Sequence, residues 1–216
     1  MSTLVTRSAR TRGAIRSAAL VAALLGTVVT LGGCIEAAII GGATGGALMA
    51  NDRRTAEVVL GDERVENTAS NRISTRFGDK VHVNVTSFNY TVLLTGEVPD
   101  AKAKAEIERI ASEVDRVKAV VNELQIGAAS ALTARGNDTY LTGRVKASMV
   151  GANKFNTNYI KVVTEAGVVF LMGLVTRKEG DDATEIARSI GGVQKVVRVF
   201  EYITVPAAPP APAPAK

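Results

Sequence analysis

Thr91-Val92-Leu93-Leu94-Thr95-Gly96-Glu97-Val98 and Val168-Val169-Phe170-Leu171-Met172-Gly173-Leu174-Val175 decide the fold, because they are two versions of one segment. Each is the length of a strand and rich in β-branched and apolar side chains. Asn89-Tyr90 and Glu165-Ala166-Gly167 stand where a tight turn should join each run to a preceding strand. In the first copy that preceding strand alternates Val81, Val83 and Val85 on one face with His82 and Asn84 on the other. In the second it is Ile160-Lys161-Val162-Val163-Thr164. Gly96 and Gly173 should end the second strand of each hairpin or bulge it.

Working outward, the same duplication continues at a shift of 76 to 78 residues. Ile107, Ile110, Val114 and Val117 recur at helical spacing, as do Ile186, Ile190 and Val193, the latter ending at Gly191-Gly192. Val120 to Ile126 and Val196 to Ile203 follow as further strands. Ahead of each hairpin another helix is expected, with Val65, Ala69 and Ile73 sharing one face and Leu141, Val145 and Met149 the other copy's. The second of these should run from about Thr139 to Val150, with Asp138 as N-cap. The pattern predicts an α+β protein of two tandem αββαβ sandwiches, 66–127 and 138–205, each with two helices packed on a three-stranded sheet.

The flanks read differently. Arg7, Arg10, Arg12 and Arg16 precede an apolar run from Ala18 to Leu31, which ends in Gly32-Gly33. That is the layout of an export signal, and the run is too short to cross a ~30 Å hydrocarbon core comfortably. Leu31-Gly32-Gly33-Cys34 resembles the bacterial lipobox, which implies cleavage after residue 33 and acylation (thioether-linked diacylglycerol and palmitate-type chains) of Cys34, the one cysteine present. Ile35, rather than aspartate, implies sorting to the periplasmic leaflet of the outer membrane. Residues 34–65 are expected to be a linker; within it the glycine-rich 35–50 stretch fits a flexible spacer or an interfacial segment. Pro206 to Lys216 fits a disordered Pro/Ala tail.

Charge excludes one class of partner. The whole chain is +5, but loss of the leader's four arginines leaves 22 basic against 21 acidic residues. A mature chain this balanced is not a nucleic-acid binder. The residual positive charge lies in the second unit, with nine basic and six acidic residues over 139–205.

Val92-Leu93-Leu94-Thr95-Gly96-Glu97-Val98 and Val117-Lys118-Ala119-Val120-Val121-Asn122-Glu123-Leu124 resemble the hallmark segments of the BON domain, V-x-L-x-G-x-V followed after a helix by G-V-x-x-V-x-N-x-L. The second unit resembles it through Val168–Val175 and Gly192–Val199. Two departures stand out: Arg116 replaces the glycine before Val117, and Arg198 replaces the asparagine.

Cysteine-anchored chains with two BON units form an envelope lipoprotein group. Resemblance to it implies recognition of anionic phospholipids such as phosphatidylglycerol and cardiolipin, enrichment at division sites, support of envelope integrity, and contact with the outer-membrane β-barrel assembly machinery. It also implies that lipid contact falls on the first helix of the second unit. Here that points to Tyr140, Leu141, Gly143, Arg144, Lys146 and Ala147, with Tyr140 as aromatic anchor. An aromatic ring with a polar tip suits headgroup depth, and Arg and Lys suit phosphates. The rival expectation is a protein–protein adaptor with lipid contact secondary. Catalysis is not expected: His82 is the one histidine, and no spacing suggests a metal or cofactor site.

Overall fold

A computed structural model describes residues 52–204; the export signal, Cys34, the 35–50 stretch and the Pro/Ala tail lie outside the described residues. Within them the order is α1 (Ala56–Phe77), β1 (His82–Phe88), β2 (Thr91–Val98), α2 (Ala101–Ser112), β3 (Ala119–Asn122) and β4 (Gln125–Ile126). The second copy follows as α3 (Leu132–Ala152), β5 (Ile160–Glu165), β6 (Val168–Val175), α4 (Arg177–Arg188) and β7 (Lys195–Tyr202). Each copy is an αββαβ unit with the order β1-β2-β3 or β5-β6-β7, the hairpin antiparallel and the last strand parallel to the central one.

Both central strands are buried on two faces, which is why their sequences run apolar instead of alternating. Val92 and Leu94 face α1 and α2, joining Val65, Ala69, Ile73 and Ile107 in the first core. Val169 and Leu171 do the same with Leu141, Val145 and Met149 in the second. The opposite faces meet each other. Phe88 and Leu93 of the first sheet pack with Phe170 and Met172 of the second. The layers therefore run helices, sheet, sheet, helices. Burying side chains of this kind contributes about 1.5–3 kcal/mol each, more than the ~0–1 kcal/mol of the exposed ion pairs.

The hairpin turns share a polar device. Asn89 and Tyr90 both have positive φ, as do Ala166 and Gly167, the type I′ geometry that fits the twist of a hairpin. Three of the four are not glycine, so something must hold them there. Asp62, buried inside α1, accepts hydrogen bonds from the backbone N–H of Asn89 (2.9 Å) and Tyr90 (2.8 Å) and from Ser87 Oγ (2.7 Å). Asp138, buried inside α3, accepts from Ala166 (2.9 Å) and Gly167 (2.8 Å). Asp138 is thus a turn clamp and not the expected N-cap: α3 begins at Leu132, and the buried position suits a carboxylate only because it is fully hydrogen-bonded.

Other expectations need correction. Residues 56–65 are not linker. Thr55 caps α1, and Arg54 ties its start to Asp62 at 2.8 Å. Arg53 pairs with Glu179 at 2.8 Å across to the second unit. Burial raises the Glu179 carboxyl, yet hydrogen bonds from Arg53 and Thr176 outweigh it and hold the group below the ordinary carboxylate range. The helix of Ile107 and Ile110 stops at Ser112, leaving Val114 and Val117 in the following turn. There Arg116 takes φ 70, a conformation that favours glycine, and its guanidinium reaches Tyr90 Oη (3.1 Å) and Glu57 (3.0 Å). Gly96 and Gly173 neither end nor bulge their strands. A Cβ at Gly96 would strike the His82 carbonyl, and one at Gly173 the Tyr159 carbonyl. The asparagine-to-arginine departure has a visible result. Asn122 accepts from the Leu124 backbone N–H and donates to the Lys104 carbonyl, splitting that strand into β3 and β4. Arg198 instead pairs outward with Asp181, and β7 continues unbroken to Tyr202.

Replacing Asp62 by alanine should therefore destabilise the protein by about 2–4 kcal/mol, since it strands buried donors and leaves Tyr90 at positive φ unsupported. Asp138→Ala should cost about 1–3 kcal/mol. Urea titrations followed by circular dichroism would measure both losses.

Candidate functional site

Helix α3 carries apolar side chains on two opposite faces, and that is unusual for a helix packed on one sheet. Leu141, Val145 and Met149 point inward and are buried. At 3.6 residues per turn the diametrically opposite positions are Leu132, Gly136, Tyr140, Gly143, Ala147 and Val150. All six are exposed; Leu132 is 83 %, Tyr140 62 % and Val150 62 % accessible. Three of the six large hydrophobic side chains exposed among the described residues thus belong to one face of one helix.

Cationic groups border this face. Lys146 is exposed on one side. Arg144 lies on the other, its guanidinium 5.8 Å from the Tyr140 ring centroid and donating to the Gly191 carbonyl at 3.2 Å. The ring and guanidinium therefore support one another while both remain open to solvent. No acidic side chain occupies the outward positions of α3: its one carboxylate, Asp138, is turned inward. The face can accordingly accept an apolar surface bearing negative charge.

Of the residues expected at the site, Tyr140, Gly143, Arg144, Lys146 and Ala147 are exposed. Leu141 is not among them. It is 2 % accessible and sits in the second core. Leu132 and Gly136 extend the face by two turns ahead of Tyr140, beyond the reach of a helix that starts at Asp138, and Val150 continues it at the other end. The signal that would have found them is the pairing of Asp62 with Asp138, which marks both as mid-helix positions of a duplicated unit. Among the described residues no helix is long and apolar enough to cross a membrane.

Comparison with known proteins places the chain. The BON domain model matches residues 66–128 and 137–204. The outer membrane lipoprotein DolP of Haemophilus influenzae is 36% identical over 184 residues, covering 84% of this chain and 95% of that protein. The 21 kDa hemolysin of Actinobacillus pleuropneumoniae is 29% identical over 154 residues, 70% of this chain and 79% of that one. The osmotically-inducible protein Y of Escherichia coli is 29% identical over 117 residues, 53% and 58% of the two chains.

The glycines of the outward face have no packing role, since a Cβ at Gly136 or Gly143 would meet nothing within 4 Å. Gly136→Ala and Gly143→Ala should each raise stability by about 0.5–1 kcal/mol through helix propensity alone. Thermal melts of the two variants would check this. With two copies of its domain over most of the described residues, this chain belongs to the BON-domain family.

Proposed function

We propose that the protein is an outer-membrane-anchored lipoprotein of the periplasm whose second BON unit binds anionic phospholipid through the outward face of α3, in support of envelope integrity and division. The observation that carries this reading is the exposed row Leu132, Tyr140 and Val150 with small residues between them and Arg144 and Lys146 alongside. Glycine and alanine keep the middle of the face low, so the backbone can approach a bilayer closely. The Tyr140 ring would sit at headgroup depth, where an apolar body and a polar tip are both satisfied. Arg144 and Lys146 would meet phosphates, each basic group near an anionic surface contributing about 1 kcal/mol.

Similarity to an outer membrane lipoprotein along nearly its whole length supports the location, as does the lipobox-like Leu31-Gly32-Gly33-Cys34. The two attachments would act in series. Acyl chains at Cys34 hold the protein at a membrane, and that raises the local concentration of bilayer around a weak headgroup site on α3. Selection of anionic regions of the membrane then rests with the second site.

Co-sedimentation of residues 51–216, free of the acyl anchor, with vesicles tests the proposal. The fragment should pellet with phosphatidylglycerol vesicles and not with phosphatidylcholine. Tyr140→Glu, an exposed position, should abolish pelleting and leave the circular dichroism spectrum unchanged. A fragment that ignores both lipids yet captures an envelope protein would favour the adaptor role instead.

A further inference from the structure

The two sheets pack so that each hairpin turn lies against the far end of the other unit's hairpin, and the two resulting junctions differ in that carboxylates are paired with arginines at only one of them. At one, Arg53 and Arg54 fill the space. Arg53 lies 3.8 Å from the Tyr159 ring centroid and donates to the Leu174 carbonyl at 2.8 Å, while Arg54 lies 3.9 Å from the Phe88 ring centroid. The residues at the corresponding places of the other junction, by the internal repeat, are His82 for Tyr159, Glu97 for Leu174 and Glu165 for Phe88. Here no arginine or lysine enters: neither carboxylate pairs with one among the described residues.

His82 and Glu97 are cross-strand partners on β1 and β2, so their side chains leave the same face of the first sheet. Glu165 reaches them from the end of β5 in the second unit. One donor atom from each of the three lies within 4.8 Å of the others, and His82 Nε2 is 4.0 Å from Glu165 Oε1. Both carboxylates are buried, at 9 % and 6 % accessible. Both carboxylates are also held by neighbours. Glu165 Oε2 accepts from Asn84 (2.8 Å) and Thr95 (3.1 Å), and Glu97 Oε2 accepts from the Ser130 backbone N–H (3.1 Å).

Two buried carboxylates this close repel unless positive charge lies between them. We propose that His82, Glu97 and Glu165 form a divalent cation site, best matched to zinc, that joins the two BON units. One imidazole and two carboxylates are a donor set suited to zinc rather than to magnesium, which prefers oxygen alone and keeps its waters. Their two negative charges balance the ion. Tetrahedral ligands at about 2.1 Å from zinc stand roughly 3.4 Å apart, so side-chain movements of about 1 Å complete the site. His82 is half-buried and leaves an entry path. The hydrogen bonds from Asn84, Thr95 and Ser130 act as the orienting outer shell that metal-bound carboxylates require. This site is independent of the lipid-contact face, and neither proposal needs the other.

The experiment is calorimetric titration of the metal-stripped full chain in detergent with zinc chloride, alongside melting curves. One zinc per chain should bind, and zinc should raise the melting temperature because the ion binds only the docked arrangement. His82→Gln and Glu97→Gln should each weaken binding roughly tenfold or more and remove the zinc-dependent rise, while melting as the parent does in chelator. The His82→Gln comparison also separates this site from zinc held by Cys34. Zinc binding no tighter than that of magnesium, or binding unaffected by His82→Gln, would overturn the proposal. So would a melting temperature that zinc leaves unmoved.

Discussion

Everything else in this structure depends on the outer faces of the two sheets burying each other. A three-stranded sheet covered by two helices on one side has a second side to dispose of. Here Leu93 and Phe88 of one copy close against Phe170 and Met172 of the other. A central strand sealed on both faces has no polar alternation to display, and its runs of valine, leucine, phenylalanine and methionine follow from that constraint. With the sheets turned inward, the four α-helices of the described residues are on the outside. A helix there ordinarily shows solvent a polar surface, and α3 instead exposes Leu132, Tyr140 and Val150.

The duplicated units have diverged where the packing gives them different neighbours. Asp62 and Asp138 do the same work at the two turns. Around them the copies part: Arg116 holds a glycine conformation by reaching Tyr90 and Glu57, whereas Gly192 adopts the equivalent geometry at φ 100 without help. The junctions between units diverge as well, with carboxylates paired to arginines at one and a histidine and two glutamates at the other. Only α3 of the two leading helices carries a long exposed apolar row; α1 exposes Leu60 among charged residues.

Much of this was legible in the residues, and the limits have physical reasons. Hairpins, central strands and both leading helices follow from local pattern, because period and turn chemistry are local properties. The BON resemblance rested on the same segments. The start of each leading helix was not legible, since residues 56–65 and 132–138 carry no inward stripe as strong as Leu141, Val145 and Met149, and a buried aspartate looks like a cap until its partners are known. Leu141 could be assigned to the site and the core at once on sequence grounds, and burial at 2 % removes it from the site. His82 looked solitary because its companions, Glu97 and Glu165, come from another strand and from the other unit. Such a meeting is set by tertiary packing, which no spacing records.

The central proposal is that the outward face of α3, and not that of α1, enters an anionic bilayer. The chain has no tryptophan, so one introduced indole reports its surroundings without background. Tyr140→Trp should shift its fluorescence to the blue on addition of phosphatidylglycerol vesicles and not with phosphatidylcholine, while Leu60→Trp on α1 stays unchanged in both. A shift at position 60 with none at 140 would contradict the account.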